Sequence, residues 1–291
     1  MVPAFRYHLV TMIGVFLALG VGIAIGSSFV QGPLVEQQTH RLDDLRNQYN
    51  NQVLVAQESL RTYNDFVAAL SPRLTQGRLT GLRVAIVQSG DYPDTVRKTR
   101  DALEQAGAKV NSETVVERTF PTRAKLVQNQ VLPKLTTFPE PLLPGDTALL
   151  KVLAYALSNG GADLAAALSD ARLIRQDGDY SVPNDWVVIV GGEADDTESR
   201  VDTVDVPLVE ELKAYNAKVL VTEPRQAAVS CIPAFHADDI STVDNADTDI
   251  GRLAVVLAMK AEHGNYGVKP TAQSGILPPF NADDLRRHSS L

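Results

Sequence analysis

Cys231 and His236 lie five residues apart in CIPAFH, the one place in this 291-residue sequence where a thiol and an imidazole stand close along the chain. Such a pair can share a proton or a metal ion. A stable metal site recruits three or four ligands, however, and a lone Cys with one His reads more often as a buried thiol beside an unrelated histidine. The remaining histidines after residue 30 (His40, His263, His288) are scattered, and no G-x-S-x-G turn follows an apolar run, so no hydrolytic triad assembles. Asp195, Asp196 and Glu198, just after Gly192, offer oxygen ligands to a divalent cation, and serve equally well as solvated surface on an acidic protein. With no catalytic, cofactor or metal set completed, the sequence reads as a non-enzyme with no cofactor.

The elements that would position any site follow from apolar periodicity. LRVAIV (Leu82 to Val87) is fit for a buried strand, and Pro93-Asp94 opens a helix that closes near Gly107. Strands are expected at Lys109 to Val116, Trp186 to Val190 and Lys218 to Val221. Helices are expected at Asp146 to Ser158, Ala162 to Leu168, Val206 to Tyr215 and Thr248 to Glu262. Alternation of this kind implies an α/β domain over residues 81–268 with a Rossmann-like, mainly parallel sheet. Ligands of such sheets sit beyond the carboxyl ends of the strands, which places a candidate crevice at Ser89, Asp91, Gly191, Gly192 and Glu193, with Thr222-Glu223 beside it. Neither G-x-G-x-x-G nor G-x-x-x-x-G-K-[ST] occurs, so the nucleotide fingerprint is missing. Residues 119–145, rich in Pro and Thr, read as a surface insertion, either a partner-binding loop or a plain connection. Residues 271–291 read as a disordered tail.

Before this domain the composition changes. From Leu9 to Val30 there are 22 consecutive uncharged residues, which at about 1.5 Å each span a hydrocarbon core of about 30 Å. A transmembrane anchor is expected over 9–30. A cleavable signal peptide is the rival reading, with small residues at Ala24-Ile25-Gly26, although signal-peptide cores run only about 7 to 15 residues. Arg6 and the amino terminus precede the span and no Lys or Arg follows until Arg41, so residues 1–8 should stay in the cytoplasm and the body should lie outside the cytoplasmic membrane. Ala18, Gly22 and Gly26 share one face in the small-xxx-small pattern of helix dimers, though glycine is common in membrane helices in any case.

After a helix break expected at Gly32-Pro33, apolar residues recur at Leu42, Leu45, Tyr49, Val53, Ala56, Leu60, Tyr63, Val67 and Leu70, and Ser71-Pro72 should end the run. This is a heptad alternation with one stutter after Tyr49. It predicts a coiled-coil stalk over 34–70 and a parallel homodimer, with an amphipathic helix packed on its own domain as the alternative. The formal charge is -8, and residues 34–291 carry 26 basic against 35 acidic side chains, a surface that repels nucleic acid. A single cysteine allows no intrachain disulfide.

Tyr7-His8 before FLALGVGIAIGSS, VAIV after Arg83, and VDNADTDIGRLAVVLAMKAEHGNYG (Val243 to Gly267) together resemble the mycobacterial copper transport protein B family over about nine tenths of the chain. The resemblance implies an actinobacterial cell-envelope protein taking part in copper homeostasis and described as an outer-membrane channel. The residues fit the envelope better than the channel. A membrane barrel needs many alternating strands of about 9 to 11 residues, and copper(I) favours Cys and Met, of which the chain past Met1 has only Cys231, Met12 and Met259. Two functions are expected as alternatives: copper handling, through another envelope protein as partner, or a dimeric extracytoplasmic scaffold that regulates cell-wall enzymes in division.

Overall fold

A computed structural model describes residues 4–197, 199–236 and 239–279, with side chains except at positions 4–6 and 27–40. The chain divides into two units, Met1–Tyr63 and Asn64–Leu291.

The first unit is a single helix, α1 (Ala4–Thr75), whose last turns belong to the second unit. The break expected at Gly32-Pro33 is absent. One proline removes a single N–H donor, and the hydrogen bonds of the turns on either side carry the helix through it. The helix also passes Ser71-Pro72, where the Ser71 and Thr75 hydroxyls bond back to the carbonyls of Val67 and Ser71. It stops at Gly77, whose φ of 72° is the left-handed conformation that closes a helix.

Tyr7–Gly26 is long and apolar enough to cross a membrane. Ala18, Gly22 and Gly26 are exposed along it, and nothing lies within 4 Å of a Cβ built on either glycine. Further along, Leu42, Leu45, Tyr49, Leu60 and Tyr63 are 45% to 68% exposed; Ala56 is exposed and Val53 half-buried. The two last members of the heptad series behave differently. Within the second unit Val67 is buried and Leu70 half-buried, so there the seam is already occupied by the chain's own domain.

The second unit runs β1 (Arg83–Gln88), α2 (Pro93–Gln105), β2 (Lys109–Val116), α3 (Phe120–Val131), α4 (Ala148–Asn159), α5 (Ala162–Asp170), β3 (Ile174–Gly178), β4 (Trp186–Val190), α6 (Val206–Ala214), β5 (Lys218–Thr222), β6 (Ser241–Val243), α7 (Asp249–Ala258) and β7 (Asn265–Tyr266). The strands form one sheet in the order β3-β2-β1-β4-β5-β6-β7, parallel throughout except for β3 against β2. Strand alternation feeds two cores. Ala85, Val87, Val187, Ile189, Val219 and Val221 face α4, α5 and α6, while Val84, Ile86, Val188, Val190 and Leu220 face α2 and α7. Both faces are covered, which is why β1, β4 and β5 are near-continuous apolar runs.

Two segments take a more definite form than expected. The 119–145 segment is no plain surface insertion: α3 and the short turn after it bury Phe120, Ala124, Val131, Leu132, Leu135 and Phe138 in the first core, and Phe138 meets Tyr155 edge-on at 5.2 Å. The tail expected from 271 is tied down at its start. Thr271 donates to Asp244 at 3.0 Å, Gly267 N–H donates to Gly275 O at 3.0 Å, and Leu277 packs on the second core. Residues 280–291 lie outside the described residues.

Candidate functional site

The strand order reverses between β1 and β4, so the loops leaving β1, β4 and β5 meet at one point of the sheet edge. Ser89, Asp91, Gly191, Gly192 and Glu193 are brought together there, but as a closed seam and not as an open crevice. The N–H groups of Ser89 and Gly90 both donate to Val190 O at 3.1 Å, Asp91 N–H donates to Gly192 O at 3.1 Å, and Gly191 N–H to Thr222 O at 2.8 Å. A Cβ on Gly90 would stand 2.3 Å from Gly192 O, and one on Gly191 would stand 2.6 Å from the Cys231 sulfur. The crevice expected from the sequence is therefore filled: residues too small to hold loops apart let backbone take the ligand's place.

Under this seam lies an ionic network. Arg200 Nε donates to Glu193 Oε1 at 2.9 Å and its Nη2 to Asp91 Oδ1 at 2.7 Å, while Arg200 N–H donates to the same Glu193 oxygen. Glu193 is also fixed through its backbone, which pairs with Val229. Arg118 extends the network by donating to Asp195 Oδ1 at 2.8 Å. On the far side, Glu223 accepts from Lys269 Nζ at 2.5 Å, Ser230 Oγ at 2.6 Å and Cys231 N–H at 2.8 Å. Burying charge is unfavourable unless it is paired and hydrogen-bonded, and these contacts supply most of the partners.

Two acceptors remain without one: Glu193 Oε2 and Asp205 Oδ1 are buried with no hydrogen-bond partner among the described residues. Asp205 ends a π-helical turn, Val201–Asp205, that leads into α6. Burial pushes its carboxyl up to about 7, against the lowering influence of Ser89 and Arg200, with Glu193 and Glu223 adding to the rise.

The chemistry this arrangement allows is narrow. Burial, then the negative charges of Glu223 and Asp205, raise the Cys231 thiol well above its usual range, so it is a poor nucleophile and a poor thiolate ligand. The Cys231 sulfur faces Glu223 Oε2 at 3.4 Å, whereas the His236 ring faces Gln273 at 3.5 Å; the CIPAFH pair does not act together. Asp195 is engaged by the Thr197 hydroxyl and N–H and by Arg118, which hold its carboxyl below the usual value; Glu198, its expected co-ligand, lies outside the described residues. Met259 is buried in the core on the opposite face of the sheet from Cys231, and Met12 lies in the apolar stretch of α1. Among the described residues no group of three or more His, Cys, Asp or Glu is arranged to hold a metal ion.

Sequence reasoning missed Arg200, Asp205, Lys269 and Ser230. Arg200 carries a signal in retrospect, as the single base in the acidic run EADDTESR, and so does Asp205, an acid inside the apolar run VDTVDVPLV. A second anchor lies at the end of β6. Asp244 receives the N–H groups of Val268 and Lys269, and Thr248 caps α7 by accepting from Gly251 N–H at 3.1 Å. A Cβ at Gly251 would fall 1.9 Å from Asn245 O, so the DNADTDIG sequence serves this turn.

A family model described as "Copper transport outer membrane protein, MctB" matches residues 2–277. Curated proteins named "Copper transporter MctB" from Mycobacterium bovis and Mycobacterium tuberculosis are each 25% identical over 305 aligned positions, covering 92% of this chain and 97% of the relative.

Proposed function

Since this chain belongs to the MctB family of copper transport outer membrane proteins, we propose that it is a membrane-anchored, non-enzymatic cell-envelope protein whose part in copper homeostasis runs through protein partners and not through a copper site of its own. The observation that carries this reading is the switch point, where the one cysteine is fully buried against Gly191 and hydrogen-bonded to Glu223. In this reading Tyr7–Gly26 is the anchor, with the N-terminus in the cytoplasm and the body beyond the cytoplasmic membrane. The test pairs a deletion strain with purified full chain. Altered copper sensitivity of the strain, with no stoichiometric copper bound by the protein, is the expected result. Unchanged sensitivity, or tight copper binding by the purified chain, would overturn it.

A second reading is favoured by the exposed stripe of α1, where Leu42, Leu45, Tyr49, Leu60 and Tyr63 stand in solvent at heptad spacing. There the chain is a dimeric extracytoplasmic scaffold that positions or activates peptidoglycan enzymes in division. Crosslinking in intact cells with this chain as bait separates the two: cell-wall enzymes among the captured proteins support the scaffold, and copper-handling proteins support the first reading.

A further inference from the structure

Away from the switch point, three arginines from three separate elements line one surface groove of about 450 Å3: Arg123 of α3, Arg172 in the turn after α5, and Arg175 of β3. The elements are held in register there, since Glu117 N–H donates to Leu173 O at 3.0 Å and β3 pairs with β2 through Val115 and Arg175. Arg123 Nε donates to Ala171 O at 2.6 Å, which holds its guanidinium beside the turn and leaves its terminal nitrogens without a protein partner among the described residues. The Arg172 side chain is exposed and has no protein partner among the described residues. Arg175 pairs with Glu117 at 2.8 Å, the one acid lining the groove. The local balance is two positive charges on a chain whose formal charge is -8.

The backbone adds an independent mark. Arg172 has φ 56°, in the left-handed region where glycine or asparagine is the least strained choice. The other non-glycine residue there among the described residues is an asparagine, Asn216 at φ 57°. An arginine at such a position keeps a cation in the groove at a steric cost glycine would not carry. Two hydroxyls complete the lining: Ser169, and Thr119, which stands at the head of α3 without making a capping bond.

We propose that this groove binds a phosphate group. Guanidinium groups carried by three separate elements, with two hydroxyls in the same lining, match the several oxygens of a phosphate, whereas a carboxylate presents two oxygens in one plane and is served by a single fork. Glu117 is the internal counter-ion that an arriving phosphate displaces from Arg175.

The test uses purified full chain in a neutral detergent, titrated with inorganic phosphate and read by thermal shift and calorimetry. Saturable binding is expected, weakened about tenfold in Arg172→Gly and strengthened in Glu117→Gln. Glycine suits the left-handed backbone, so Arg172→Gly should keep or raise the melting temperature without phosphate, and a loss of binding then cannot be a loss of fold. A parallel titration with glycerol phosphate tells the source: tighter binding of the ester assigns the groove to a phosphate carried on a larger molecule, weaker binding to the free anion. Absence of a saturable response in the wild type, or equal phosphate affinity in Arg172→Gly, would overturn the proposal.

Discussion

The Arg200 guanidinium meets the Glu193 carboxylate at 2.9 Å with only 4% and 3% of the two side chains exposed. A pair so far from water is held by geometry: the arginine also reaches Asp91 at 2.7 Å, and its own N–H adds a second donor to Glu193. The loop after β1 is thus clamped to the loop after β4 by Arg200, which itself lies in the connection from β4 to α6.

Removing that residue should be severe. Arg200→Met leaves Glu193 buried and unpaired, a situation that costs about 3 to 5 kcal/mol. Urea denaturation of the full chain measures it. The double variant Arg200→Met with Glu193→Gln should recover part of the loss, because the stranded charge is gone. If the single and double variants were equally unstable, packing and not charge would explain the site.

Asp205 predicts a pH dependence of definite sign. Its folded value of about 7 lies above its unfolded value near 3.8, so the folded state holds a proton the unfolded state has lost. The stability this proton contributes is complete below the unfolded value, falls as pH climbs through the interval, and is gone above about 7. Asp205→Asn keeps the neutral form at every pH. Relative to wild type, the variant should gain stability between those limits and hold a constant advantage above them. Parallel stability curves for the two proteins would contradict the assignment.

Gly90 tests whether the seam is closed. A Cβ there meets backbone, Gly192 O at 2.3 Å, and backbone cannot swing aside as a side chain can. Gly90→Ala should therefore destabilise the fold by about 1 to 3 kcal/mol or more. Gly145→Ala, where nothing lies within 4 Å, should be near neutral. Denaturation midpoints of the two variants decide it, and equal midpoints would mean that the loops can part.

Much of the second unit was legible because burial on both faces writes itself as unbroken apolar runs: VAIV in β1, WVVIV in β4 and KVLVT in β5. β3 was not legible, because IRQDG is an antiparallel edge strand that exposes four of its five residues and carries no apolar period. β6 and β7, of three and two residues, are too short for any periodicity to accumulate. Ser89, Asp91, Gly191, Gly192 and Glu193 were expected to line a crevice, and they lie on loops that meet through backbone hydrogen bonds at the sheet edge. Short loops of Gly and Asp read the same whether they cradle a ligand or close on each other, and the difference lies in long-range ties: Arg200 to Asp91, 109 residues apart, and Lys269 to Glu223, 46 residues apart. Prolines misled in the other direction, since Pro33 and Pro72 suggested breaks that the long helix passes through.

The stripe of α1 carries the last prediction, which belongs to the reading of the chain as a dimer. Leu45 and Tyr49 are 61% and 68% exposed, while Val67, further along the same apolar series, is already buried within the second unit. A partner helix can therefore engage the series only up to about Tyr63. In full chain carrying Cys231→Ser, a cysteine introduced by Leu45→Cys should form a disulfide between two copies under mild oxidation, because facing core positions of a parallel pair bring like residues together. The same change at Val67 should give none, its place being taken by the chain's own domain. Leu45→Glu, which would bury like charges against each other, should shift the protein in neutral detergent toward monomer in sedimentation. A wild-type chain that sediments as a monomer at every concentration would remove the dimer and with it the scaffold reading.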